Sequence, residues 1–166
     1  MNIYLIGMPG SGKSSVGRQL ARLLARPFVD LDDVVEEIAG KPIPRIFDED
    51  GEAGFRREES AALSRVGGAP DSVVACGGGT PLTPANRTLL TETGTSVFLS
   101  APIEVLHERV RPGDERPLIA RDGDLDRLLA ERDELYRAVA DHVVLATGPP
   151  SEVAAEIAEA LARAVP

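Results

Sequence analysis

The chain has 166 residues, 43% hydrophobic and 27% charged, which fits one soluble globular domain with a substantial core. A formal charge of −9 and a pI near 4.7 argue against nucleic acid or an anionic membrane as the main partner, so any anion site has to be built locally from a few converging arginines. A single cysteine, Cys76, permits no intrachain disulfide, and the apolar run near the first residue is too short for a signal peptide or a span, so a reducing, cytoplasmic setting is expected.

In chain order, residues 3–6 (IYLI) suit a buried strand. After a glycine-rich loop, Val16, Leu20, Leu23 and Leu24 recur at helical spacing, and Pro27 stops the helix. Phe28 and Val29 begin a second strand that ends in DLDD. Val34, Val35, Ile38 and Ala39 then give a short helix closed by Gly40. Residues 42–67 read as mostly helical, broken near Gly51 and Gly54. DSVVACGGG is a third strand, TSVFLS a fourth and HVVLAT a fifth. Between the last two lie a helix after Pro102, a charged loop (RPGDERPLIARDGD) and a helix through LDRLLAERDELYRAVA. From Ser151 onward, Val153, Ile157, Leu161 and Val165 mark a closing amphipathic helix. Strands alternating with helices imply right-handed crossovers, hence a parallel sheet covered on both faces, an α/β sandwich in a single domain.

The segment GMPGSGKS, residues 7–14, fits G-x-x-x-x-G-K-[ST] at every fixed position and lies between a strand and a helix. Glycines let successive N–H groups curl toward phosphate oxygens, and the helix dipole favours the anion. Gly10, Ser11, Gly12, Lys13, Ser14 and Ser15 are therefore expected around ATP, with Lys13 on the β- and γ-phosphates and the Ser14 hydroxyl on Mg²⁺. A P-loop alone serves many functions. No N/T-K-x-D motif for guanine is present, and the third strand ends in Gly77, Gly78 and Gly79 where motor ATPases place an aspartate. That leaves a small-molecule kinase whose charged loop closes over the nucleotide.

Asp30 and Asp32 stand at the end of the second strand, where open α/β sheets place ligands, and Asp33 with Glu36 has capping-box spacing. Taken singly, Arg56 beside Glu52, Arg116 in DERPL and Arg137 four residues after Asp133 each read as surface charge. Taken together, the P-loop, D-x-D, F-R-R, G-G-G, R-P-L and L-Y-R in this order and spacing resemble the shikimate kinase family over essentially the whole chain.

The resemblance implies a P-loop kinase fold with a five-stranded parallel sheet, a substrate-binding segment at about 31–60 and a mobile lid at about 110–123. It implies transfer of the ATP γ-phosphate to the 3-hydroxyl of shikimate, on the route to chorismate and aromatic amino acids. Asp32 would then bind the acceptor hydroxyls and act as base or orienter, while Asp30 would hold Mg²⁺ with Ser14. Arg56 and Arg137 would clamp the shikimate carboxylate, with backbone contacts from Gly78 and Gly79. Arg116 would reach the transferring phosphate and Arg109 would lie beside the adenine; where the family often has an arginine-containing loop, ATGPPSEV has no basic residue, so Pro149 or Pro150 would pack on the base. On this reading the third strand ends in glycine because a side chain there would occupy the acceptor's volume. Nothing in the sequence demands more than a monomer. A gluconate-type kinase would share the loop but fits F-R-R and G-G-G poorly, and a nucleotide sensor without transfer would leave the aspartate and arginines without a role.

Overall fold

The computed structural model describes residues 1–69, 71–110 and 124–164. Five strands, β1 (Asn2–Ile6), β2 (Phe28–Asp30), β3 (Val73–Ala75), β4 (Gly94–Ser100) and β5 (His142–Leu145), form one sheet in the order β2-β3-β1-β4-β5. Every neighbouring pair is parallel, as right-handed crossovers require.

Alternation along β1 divides the core into two layers. Tyr4 and Ile6 face a cluster that includes Val74, Phe98, Leu31 and Leu63. Ile3 and Leu5 face the other side, among Val16, Leu20, Val97 and Ile157. Helices α1 (Lys13–Leu23) and α7 (Pro150–Arg163) cover that second face. The first is covered by α2 (Leu31–Ala39), α3 (Ile43–Gly67), α4 (Pro84–Thr93), α5 (Ile103–Arg109) and α6 (Asp124–Val139). Leu20 and Ile157 are fully buried, each worth about 1.5–3 kcal/mol, so the two stripes seen in the sequence fix α1 and α7 against the sheet. The buried Asn2 joins the other side. Its Nδ2 donates to the Val66 carbonyl at 3.2 Å, and its Oδ1 accepts from the Ser72 N–H at 2.9 Å.

Some boundaries differ from the sequence reading. Gly51 does interrupt α3, with φ 68°, a conformation that favours glycine. Gly54 does not interrupt it. It lies buried within the second half of the helix, where an added Cβ would collide with the Asp50 side chain. Strand β3 stops at Ala75, short of the expected glycine end, and residues 77–79 lead on to a short 3₁₀ turn (Thr80–Leu82) and α4, in a stretch where the sequence predicts no element. The capping role expected of Asp33 falls to Asp30. Asp30 has extended φ/ψ, and its Oδ1 accepts from the Asp32 N–H at 3.2 Å. Glu36 instead accepts from the Ile43 N–H at 2.9 Å, which ties α2 to the start of α3.

Candidate active site

The loop after β1 turns through Gly10 and Gly12, with φ 80° and 91°, and delivers the chain into α1. No side chain caps that helix, so its first N–H groups open toward the cleft in front of it. Lys13 lies back along the loop, donating to the Gly7 and Met8 carbonyls at 2.9 and 2.8 Å. Ser11 is fully buried, and its hydroxyl has no partner among the described residues, an orphaned donor inside an anion-shaped turn. The cleft holds about 360 Å³ and brings together residues 10–15 of the loop, Asp30, Asp32, Arg109 and Pro150. Arg109 is anchored by a 2.8 Å bond to the Ala146 carbonyl and reaches the Ser11 carbonyl at 3.5 Å.

At the end of β2 the Ser14 hydroxyl donates to Asp30 Oδ2 at 2.7 Å. One carboxylate thus caps α2 with one oxygen and meets the phosphate loop with the other. Asp32, the second residue of α2, lines the same cleft. It also faces the glycines, because a Cβ on Gly77 would stand 3.5 Å from Asp32 Oδ1 and 2.5 Å from Glu59 Oε1.

The glycine segment is a wall with charged side chains laid flat against it. A Cβ on Gly79 would collide with the guanidinium of Arg56, and one on Gly78 would stand 3.6 Å from Arg132 Nη1. Glu59, fully buried on α3, holds this arrangement. Its Oε2 accepts from Arg56 Nη1 at 2.7 Å and its Oε1 from the Thr80 hydroxyl at 2.8 Å. Tyr136 donates its hydroxyl to the Gly78 carbonyl. Burial raises the Tyr136 phenol above its ordinary range, and the charges of Arg132 and Arg56 oppose that rise. Cys76, buried at the start of the wall, is pushed up first by desolvation and then by the Glu59 charge, which keeps it a neutral thiol.

Arg137 is not at the wall. It is half exposed, pairs with Asp133 at 2.7 Å and leans over the Phe98 ring at 5.5 Å. Helical geometry explains the exchange. Leu125, Leu128, Arg132 and Tyr136 are the buried residues of α6, spaced three, four and four apart, whereas Arg137 lies about 140° around the helix from Arg132. An arginine on an otherwise apolar stripe was the available signal, and Glu59 among Phe55, Ala62 and Leu63 on α3 was the same signal. Arg116 and segment 111–123 of the expected lid lie outside the described residues.

Residues 9–162 match the family model for shikimate kinase. A shikimate kinase from Halorhodospira halophila is 49% identical over 163 residues, covering 96% of this chain and 92% of that protein. Among solved structures, a shikimate kinase from Acinetobacter baumannii in complex with shikimate superposes with a TM-score of 0.94 at 37% identity, covering 99% of this chain and 95% of that one. The Aquifex aeolicus shikimate kinase gives a TM-score of 0.87 at 40% identity, covering 98% and 96%. A phosphate loop, a paired-aspartate strand end and an arginine-faced glycine wall thus stand on one parallel sheet, in a sequence matched along nearly its full length: the chain belongs to the shikimate kinase family.

Proposed function

We propose that the protein transfers the γ-phosphate of ATP to the 3-hydroxyl of shikimate, giving shikimate 3-phosphate and ADP. The observation that carries this reading is the approach of Arg56 and Arg132, from two different helices, to one glycine wall beside the phosphate loop. Two guanidinium groups there grip the carboxylate of a small acid, and Gly78 and Gly79 offer backbone where a side chain would exclude it. Asp32, between loop and wall, orients the acceptor hydroxyl and takes its proton. Lys13 and the opening N–H groups of α1 hold the phosphates, and Arg109 with Pro150 flanks the base.

The Ser14–Asp30 pair fits Mg²⁺, an ion that takes one or two protein oxygens and leaves its other positions to water and phosphate. When bound, the ion neutralises charge on the phosphate oxygens. No cluster of three or more potential metal-ligating side chains occurs among the described residues. A cytoplasmic setting suits the lone buried thiol, and no described helix is long and apolar enough to cross a membrane. The protein is proposed to act as a monomer.

The test is a calorimetric titration with shikimate of Arg132→Lys and Arg137→Lys. Arg132→Lys is expected to weaken shikimate binding by about tenfold or more, the loss of a charge-assisted hydrogen bond. Arg137→Lys is expected to stay within about twofold of the parent, as an exposed ion pair allows. Both variants are expected to bind ATP as the parent does. The reverse order of effects would move the carboxylate site to Arg137 and overturn this assignment.

A further inference from the structure

Arg56 carries a carboxylate on each of its two terminal nitrogens, and the two are held very differently. Glu59, on Nη1 at 2.7 Å, is fully buried, and its second oxygen is taken by Thr80. It is fixed in place. Glu52, on Nη2 at 3.4 Å, is about half exposed and has no second hydrogen bond or ion pair among the described residues. It follows directly on Gly51, where α3 breaks at φ 68°. The guanidinium between them is only 15% exposed and lies on the Gly79 backbone. A carboxylate arriving at the wall therefore finds the Nη1 side of Arg56 held by a buried carboxylate and the Nη2 side covered by a half-exposed one.

We infer that Glu52 is an internal competitor for the acceptor carboxylate: it occupies the free edge of Arg56 in the empty protein, and the acid displaces it on binding. This rests on the reading of Arg56 as part of the acceptor site. The competition has two consequences. The affinity for an acid is lower than the two arginines alone would give, because one ion pair is exchanged for another. An acceptor without a carboxylate leaves the Arg56–Glu52 contact closed, so its affinity does not depend on Glu52, and Glu52 narrows the preference for the acid over its uncharged analogue. A helix-stabilising i,i+4 pair would have neither consequence.

The experiment is a titration of the full chain with shikimate and with its methyl ester, for the parent, Glu52→Gln and Glu52→Asp, with melting curves to show that all three fold. Removing the competitor is expected to tighten shikimate binding by about two- to fivefold, the scale of a part-exposed ion pair. The ester is expected to gain nothing. Glu52→Asp keeps the charge but is one methylene shorter, so it is expected to tighten shikimate binding as well; a purely long-range charge effect would leave it at the parent value. Unchanged or weaker shikimate binding in Glu52→Gln, with normal binding in the parent, would overturn the inference alone. Failure of the parent itself to bind shikimate would overturn the acceptor reading and the inference with it.

Discussion

An alanine at position 79 would meet no backbone strain, since Gly79 has φ −98°, yet its Cβ would run into the guanidinium of Arg56. Gly79→Ala is therefore expected to leave the melting temperature and ATP affinity near the parent values. Shikimate affinity is expected to fall by roughly tenfold, the scale of one charge-assisted hydrogen bond. Unaltered shikimate affinity in a titration would remove the wall from acceptor binding. Residue by residue, the phosphate loop was legible because its motif fixes glycine, lysine and serine at set spacings. The arginines were less so. Arg132 and Arg137 are the same side chain, and which one enters the site depends on the rotation of α6, set by Leu125, Leu128 and Tyr136 in the core. A short motif such as L-Y-R names neighbours in sequence, whereas a helix presents neighbours at three and four residues. Glu59 was hidden for the same reason, its charge being readable as one more acid in an acidic stretch until its burial is seen.

Elements with one strong stripe were legible. Helix α7 buries Val153, Ala154 and Ile157, and α1 buries Val16, Leu20 and Ala21, and both followed from periodicity. Helix α4 carries a weak pattern, since only Asn86 and Leu90 are buried, and its opening signal is Pro84 at the first helical position. It was not read. Caps were the other weak point. DLDD offers three carboxylates to the start of α2, and the one that caps is the one standing where β2 ends, at Asp30. Local spacing cannot report where a strand stops, because its last hydrogen bonds go to another strand: Asp30 is in register with Ala75, forty-five residues away. That same register brings Asp30 to within 2.7 Å of Ser14, so the cap and the candidate metal pair are one structural fact.

For the whole molecule, a chain of charge −9 recognises anions by placing a few cations deep, and the buried neutral groups beside them make stability depend on pH. The Cys76 thiol is raised above its ordinary value of 9.0, chiefly by burial, and the Tyr136 phenol above 10.0. Above about pH 9 the unfolded chain releases a proton that the folded chain keeps, so stability is full below that pH and declines as pH rises. The expected slope is on the order of 1 kcal/mol per pH unit, and Cys76→Ala is expected to flatten it. Urea unfolding of both proteins through this range checks the point, and equal slopes would exclude the thiol as the cause. The central claim concerns the reaction itself, and ADP release tests it most directly. Purified protein with ATP and Mg²⁺ would be compared without acceptor, with shikimate and with gluconate. Rapid release only with shikimate is the expected result; release that is equally fast without acceptor, or faster with gluconate, would contradict it.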